Sequence, residues 1–530
     1  MVERFSCFVG LDLFNENTYN YNVAYNYEQA VGKHVYVYRI ESHWDKEKKQ
    51  SRQKRIYLGK KDPVTGTVNK APRAYTSKEF GTIFLLDTLI HRSGLDALLQ
   101  DHFPDVFQEL LFLACFQTAE HKALYLCESW LEGIYHTKDV RLHSTAISRL
   151  LKGIGEDEQA VHMFLKEWTQ KTPTDRFMVF DITSISSYAK NIDFVEWGYN
   201  RDRERLPQIN LGVVYGEPSD RPLFYSVYPG SVPDVKTLKN ILVQLEVFEV
   251  ATTLFVMDRG FYSVANIANM GSQVGFIIPL PVSNNIAKEL IEQYEFTLSD
   301  PKNAMRFNKQ VLFSVTDRVF IAKQEYTAHL FLDESRRSTG RETFLRKLLD
   351  VEILCAEKSF RSKQKLVSAL EDELPGWKQY LTVVKSGTGY ALQRKEDAIG
   401  ARLSKLGILI LITNVEMPAD EALDFYRRKD CVEKYFDSLK NDLEKNRLRI
   451  HSQEALKGKL FVDFLSLILH TMVQHALKET KLQKRYSVQE MFYELRKLRR
   501  ITIGEKKTVL TEMTKKQRTI LEAFDISLDA

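Results

Sequence analysis

The sequence predicts an α/β protein built on a mixed sheet that an insertion interrupts, with a small β unit and a helical region before it and a helical C-terminus after it. Three observations carry this. Between residues 172 and 283, three strand-like segments come first and strand–helix–strand units follow, which implies antiparallel neighbours and then parallel ones. From Phe80 to Lys171, apolar residues recur at three- and four-residue spacing, the helical period. The 530 residues exceed what one hydrophobic core usually organises, so several structural units are expected.

Taken in order, residues 1–75 hold an N-terminal segment and a small β unit. HVYVYRIESH (His34 to His43) alternates as a strand does, KEKKQSRQKR (Lys46 to Arg55) reads as a basic loop, RIYLGK as a second strand, and DPVTG (Asp62 to Gly66) as a turn. Residues 76–171 form a helical region and a DNA-binding candidate, in which Ser144 is expected to cap AISRLLKGI within a helix–turn–helix-like neighbourhood. Residues 172–283 carry the strands FMVFDITS, PQINLGVVY and PLFYSVYPG, a helix from Asp234 (its expected N-cap) to Phe248, the strand TLFVMDRG, the helix YSVANIANM and the strand GFIIPLP. Residues 284–405 mix QVLFSV, RVFIAK and GYALQR with the helical FLRKLL and KQKLVSALEDEL, and are expected to form an inserted subdomain. Residues 406–477 return to the core with the strand GILILITN, a helix from Ala419 to Asn446 and an apolar helix from Lys457 to Leu477. Residues 478–530 form a basic, helical C-terminal region.

Composition excludes several classes. Hydrophobic residues make up 44% and charged residues 27%, which rules out wholesale disorder and collagen-like or mucin-like chains. The five cysteines are scattered and never in CxxC spacing, so neither a disulfide scaffold nor a cysteine zinc site is expected, and a reducing cytosol is. No targeting segment is expected, because MVERFSCFVGLDLF carries Glu3 early and lacks a sustained apolar run. The stretch LFVDFLSLILHTMVQHAL is interrupted by Asp463 and His470 and is expected to be a buried helix rather than a membrane span. The formal net charge is only +5, yet Lys478 to Arg518 holds 13 Lys and Arg against 5 Asp and Glu. With the cluster from Lys46 to Arg55, this points to a polyanionic partner.

The chemistry is expected from acids at strand ends. Asp181 and Asp258 each follow an apolar strand that reads as central, and ligand sites in open α/β sheets gather at strand carboxyl ends. Two facing carboxylates repel and resist ionising, a penalty that a bound divalent cation removes. The helix DEALDFYRRKDCVEKYFDSLKNDLEK places Tyr426, Lys429, Glu433 and Lys440 along one edge, beside an apolar stripe of Phe425, Val432, Phe436, Leu439 and Leu443. That edge offers a third carboxylate, an aromatic ring and two cations. Each piece alone has a simple structural alternative: a turn or cap for either Asp, and an i,i+4 ion pair for Lys429 and Glu433.

Together, FDITS around Asp181, VMDRG around Asp258 and the spacing Tyr426-x2-Lys429-x3-Glu433-x6-Lys440 resemble the DDE transposases of the insertion-sequence IS4-like superfamily, closest to its IS1634-type group. The last set is similar to that family's Y-x2-R-x3-E-x6-K signature and departs from it at Lys429, where Lys keeps the charge of Arg but lacks the bidentate fork. Arg428 is the neighbouring guanidinium. PGSVPD (Pro229 to Asp234) looks like the family's G-x3-D turn.

The resemblance implies an RNase H-like core interrupted between Asp258 and Glu433, with Asp181, Asp258 and Glu433 as catalytic residues that bind two Mg2+ ions, Mn2+ substituting. It implies nicking at transposon-end inverted repeats and strand transfer into target DNA by in-line phosphoryl transfer, with a homodimer in the DNA complex, no membrane partner, and a bacterial cytoplasmic, nucleoid-associated location. Arg259, Tyr426, Arg428, Lys429 and Lys440 are expected to contact DNA. Trp377 is expected to stack on a flipped base if a hairpin forms. The alternatives are an RNase H-like nuclease without strand transfer and an inactive, DNA-binding transposon remnant. Glycoside hydrolysis by paired carboxylates would leave the basic clusters without a purpose.

Overall fold

The computed structural model describes residues 23–45, 50–69, 75–171, 177–189, 191–200, 204–217, 219–250, 254–271, 274–357, 360, 362–386, 389–429, 447–448, 450–503 and 507–528. The chain divides into two compact units. One comprises Met1–Gly81 with Arg496–Lys515, the other Thr82–Leu495 with Lys516–Ala530.

The first unit is built of antiparallel strands. β1 (Val23–Val31), β2 (His34–Asp45), β3 (Gln50–Lys61) and β4 (Val68–Asn69) form a sheet in that order. The DPVTG turn closes as expected, with the Asp62 carboxylate accepting the amides of Val64 and Thr65 and Gly66 at φ 68°. The basic cluster is not a loop throughout. From residue 50 it is strand, so Arg52, Lys54 and Arg55 stand on β3. Gln50 to Arg55 is polar throughout, so it has no apolar alternation from which sequence could read a strand. A second sheet joins β5 (Thr76–Glu79) to two strands near the C-terminus, given below with the rest of the chain.

In the second unit, α1 (Gly81–Ser93), which begins one residue before the boundary, α2 (Leu95–His102), α3 (Phe107–Glu120), α4 (Cys127–Gly133), α5 (Ser144–Glu156) and α6 (Glu158–Lys171) make the expected helical region. Ser144 is the first helical residue of α5 rather than its cap; His143 occupies the N-cap, without a side-chain hydrogen bond.

The sheet then begins with β6 (Phe177–Ser187), β7 (Gln208–Glu217) and β8 (Arg221–Pro229), continues through α7 (Asp234–Val247), β9 (Leu254–Met257), α8 (Val264–Met270) and β10 (Gly275–Pro279), and is followed by α9 (Asn285–Tyr294). Pro233, not Asp234, caps α7. β11 (Ala304–Phe307), β12 (Gln310–Ile321), β13 (Gln324–Leu332), α10 (Glu334–Glu357), α11 (Lys363–Glu373), β14 (Leu381–Ser386), β15 (Gly389–Arg394), α12 (Glu396–Ser404), β16 (Ile408–Thr413), α13 (Ala419–Arg428) and β17 (Arg447–Leu448) complete the middle of the chain. The strand order is β11-β12-β13-β16-β10-β9-β6-β7-β8, with β17 beside β6. β6, β7 and β8 run antiparallel, and β9 and β10 run parallel to β6, as the order of hairpins and βα units foretold.

The segment 284–405 does not form one separate subdomain. QVLFSV and RVFIAK fuse into β12, and β13 pairs with β16 over six residues, which extends the central sheet. Only α10, α11, β14, β15 and α12 gather around a core of their own, formed by Leu348, Val351, Leu366, Leu370, Trp377 and Leu381 among others.

α14 (Gln453–Glu479) is the long apolar helix. It is buried against α3, α5 and β8. It crosses α5 at near-backbone contact: a Cβ on Gly458 would lie 1.9 Å from the Leu151 carbonyl oxygen, and one on Gly155 would lie 1.7 Å from that of Glu454. Its polar members find partners inside, Asp463 with Lys459 and His470 with Gln474. α15 (Val488–Leu495), β18 (Arg499–Ile503), β19 (Lys507–Leu510) and α16 (Lys515–Glu522) end the chain. The basic C-terminal region is therefore not all helical, since β18 pairs with β5 and β19.

Candidate active site

β6 and β9 bring the two acids together. In their parallel register Phe180 pairs with Met257, and Asp181 and Asp258 are the next residues on each strand. Asp258 does end its strand, and it caps the short turn Arg259–Phe261. Asp181 does not, because β6 continues through Ser187 and pairs with β7 as far as Ser186. Four of the six β6 residues after Asp181 are polar and buried: Ser184 donates to the Asn210 side chain, Asn200 donates to Ser186, and Gln208 donates to Asn210. These hydrogen bonds offset the cost of burying them. Asp181 thus marks where the parallel pairing with β9 stops rather than where its own strand stops.

Alternation along β6 puts Asp181 on the face of Phe177 and Val179, which packs against α13. Phe177 and Phe425 stack with ring centroids 4.6 Å apart. Four residues on from each lie Asp181 and Lys429. A strand advances about 13 Å over that interval and a helix about 6 Å, and the four-carbon stem of Lys429 spans most of the difference. Its Nζ lies 3.8 Å from Asp181 Oδ2 and 4.0 Å from Asp258 Oδ1. The two carboxylates are therefore no farther apart than those contacts laid end to end. Lys429 is 2% exposed and Asp181 4%, so the charges meet away from water. Asp181 Oδ1 also accepts the Ile182 amide at 2.9 Å.

The PGSVPD turn reaches the same corner. A Cβ on Gly260 would come 2.9 Å from Asp234 Oδ2, so Gly260 leaves room for that carboxylate beside the VMDRG segment.

The remaining expected residues fall as follows. Arg259 is exposed beside Asp258, and Tyr426 is half-buried against the core one turn before Lys429. Glu433 and Lys440 lie outside the described residues, as do Val432, Phe436, Leu439 and Leu443. Arg428 is engaged elsewhere. Its guanidinium bonds Asp424 at 2.9 Å and lies 3.7 Å from Glu217, so it does not stand in for Arg at position 429. Trp377 is 4% exposed in the small core between α11 and β14, so its ring is not offered to a base. Among the described residues the exposed indole is Trp197, 67% exposed on the loop after β6, with Tyr199 nearby at 86%. A polar, irregular stretch gives no periodicity from which sequence could assign that exposure.

Arg428 borders a pair of buried carboxylates that sequence did not reveal, Glu217 and Asp220. Burial pushes the Glu217 carboxyl well up, and neighbouring Asp220 adds to the shift. Burial also opposes ionisation of Asp220, but hydrogen bonds from His475, Glu217 and Lys478 outweigh it and hold that carboxyl low. A groove of about 670 Å³ along edge strand β8, lined by Tyr225, Tyr228 and Val243, contains none of the acid-pair residues.

Carboxylate oxygens are the ligands that divalent Mg2+ and Mn2+ take, and the Lys429 ammonium shows that the space between these two suits a cation. Among the described residues no group of three or more His, Cys, Asp or Glu side chains gathers as a metal site.

Comparison with known proteins bears on the same residues. Among solved structures, the chain is similar to a piggyBac transposase synaptic complex with hairpin DNA at 9% identity, over 73% of this chain and 69% of that one, with TM-score 0.35. It is also similar to a Drosophila P element transposase strand transfer complex at 12% identity, over 71% and 95%, with TM-score 0.15. Neither score marks a shared fold. No curated relative matches. The family model described as Transposase DDE domain matches residues 172–469, more than half of the chain, and spans β6 through most of α14. With Asp181, Asp258 and Lys429 all inside that span, the chain belongs to the transposase DDE domain family.

Proposed function

We propose that this protein cuts transposon ends and joins them to target DNA, with Asp181, Asp258 and Glu433 as its metal-holding carboxylates. The observation that carries the reading is the convergence of two strand-borne acids on one buried lysine within a transposase domain. The strand order β8-β7-β6-β9-β10 supports an RNase H-like core. The spacing from Tyr426 to Lys440 supports placement in the IS4-like superfamily, near its IS1634-type group. Glu433 joins the set because the described residues on either side of its segment, Lys429 and Arg447, both meet β6, one at Asp181 and the other at Ser186.

Domains of this family generally use divalent metal ions, which when bound neutralise charge at phosphorus and activate a hydroxyl. Asp181 and Asp258 would hold them. Lys429 keeps the carboxylates paired and limits their repulsion. Arg259, exposed beside Asp258, would hold a DNA phosphate. The reaction asks these side chains for position and charge, and no covalent bond to the protein. Inverted-repeat DNA, target DNA and a dimer across two ends complete the proposal.

Incubation with a pre-cleaved repeat end, a plasmid target and Mg2+ tests it. Joined products support the reading. Cleavage without joining favours a nuclease, and metal-independent binding alone favours an inactive remnant.

A further inference from the structure

Strands β1, β2 and β3 lay an aromatic grid on one face of the N-terminal sheet. Directly paired residues share a face. The register pairs Tyr27 with Tyr38 and Tyr38 with Tyr57, so three tyrosines stand in one row across three strands. The row on one side is Tyr25, Ile40 and Arg55, and the row on the other is Gln29, Tyr36 and Lys60. The rings touch as the register requires: Tyr38 and Tyr57 have centroids 5.4 Å apart, Tyr36 and Tyr57 6.2 Å. The Arg55 guanidinium lies 3.7 Å from the Tyr38 ring centroid and 5.4 Å from that of Tyr27, and it donates to Gln29. Tyr25, Tyr27 and Tyr57 are 43%, 44% and 37% exposed.

The opposite face is different. It buries Val37 and carries the ion pairs Glu28–Lys61 and Arg39–Glu41. Among the described residues the tyrosine face buries Ile40 and half-buries Tyr36 and Tyr38, yet leaves Tyr25, Tyr27 and Tyr57 exposed beyond what the packing of this sheet needs. Charge narrows what would cover them. Residues 23–69 hold ten Lys and Arg against five Asp and Glu, a surplus equal to the formal charge of the whole chain.

We propose that this face is a stacking platform for unpaired nucleotides of DNA, with Tyr25, Tyr27 and Tyr57 taking base faces and Arg55 and Lys60 the adjoining phosphates. Flat aromatic rings within a basic surface bind single strands because every base presents a face to stack. A paired duplex shows this surface only phosphates and base edges, and would leave the rings without partners. The platform uses none of the acid-pair residues and goes beyond the reading given for them.

The test uses the full chain in chelator, where the acid pair is silent, and reads anisotropy of labelled oligo-dT, oligo-rU and duplex DNA. Wild type should bind oligo-dT. Tyr27→Ala and Tyr57→Ala should each weaken that binding about tenfold, while Tyr27→Phe, which keeps a ring, stays near wild type. Duplex affinity should be unchanged in all three. Unchanged oligo-dT affinity in the alanine variants, an equal loss on duplex, or a preference for oligo-rU would overturn the proposal. Photo-crosslinking of bromouracil-substituted oligo-dT to the wild-type protein needs no variant: adducts on Tyr25, Tyr27, Tyr38 or Tyr57 support the platform, and adducts confined to other regions refute it.

Discussion

Replacing Lys429 with Met removes the cation between Asp181 and Asp258 while keeping most of the side-chain volume. The cost is set by burial. At the Asp181 contact, 3.8 Å long, the lysine and aspartate side chains are 3% and 6% exposed, so their charges are largely out of water. Leaving one member of such a pair behind costs about 3–5 kcal/mol. The Asp258 contact, 4.0 Å long with that carboxylate 40% exposed, adds less than about 1 kcal/mol after screening. Lys429→Met should therefore lose about 3 kcal/mol in urea unfolding of the catalytic unit without divalent ions. Metal should then return more to the variant than to the wild type, because an entering ion meets two carboxylates with no ammonium between them. An ion at a hundredfold its dissociation constant stabilises by about 2.7 kcal/mol. A variant as stable as wild type in chelator, or one that Mg2+ and Mn2+ restore no more than wild type, would refute the idea that these carboxylates form a cation-seeking pair.

Other expectations follow from the same geometry. Gly458→Ala should destabilise by about 1–3 kcal/mol, because the new methyl meets the Leu151 carbonyl and pushes α5 and α14 apart. Gly153→Ala, with open space at its Cβ on α5, should be neutral or stabilising by up to about 1 kcal/mol when both variants are compared in thermal melts. Glu217→Gln has a pH signature. The folded-state carboxyl is raised, so its contribution is present below the ordinary Glu range and is lost as pH rises through the raised value. The variant should match wild type in acid and exceed it in melting temperature as pH climbs; a constant offset at every pH would contradict this. Trp377→Ala should cost about 3–5 kcal/mol in unfolding yet leave DNA affinity unchanged in gel shift. Asp181→Ala should abolish metal-dependent DNA cleavage while preserving DNA binding, and residual cleavage at the wild-type rate would contradict its role.

Much of the sheet was legible because its strands hold short runs that are wholly apolar. FMVF, TLFVM and GFIIP became β6, β9 and β10 for that reason. Sequence ended the apolar run of β6 at Asp181, although Ile182 and Ile185 beyond it are buried in the core as well. The strand continues on hydrogen bonds among Ser184, Ser186, Asn200, Gln208 and Asn210, which form only once distant segments meet. β13 was missed as a sheet member because its partner β16 lies some eighty residues on, and no local pattern encodes that pairing. At the site, periodicity placed Tyr426 and Lys429 beside an apolar stripe, and Phe425 does pack on Phe177. That Lys429 reaches both acids required knowing how deeply α13 seats on β6. Arg428, one residue earlier, has the same local chemistry, yet the helix turns it toward Glu217.

The most direct test is a Mn2+ titration followed by electron paramagnetic resonance on wild type and on Asp181→Ala, Asp258→Ala and Glu433→Ala. Bound manganese that is lost or strongly weakened in all three variants is the predicted result. Binding of unchanged stoichiometry and affinity in the three variants would show that these carboxylates do not hold the metal, and would contradict the account.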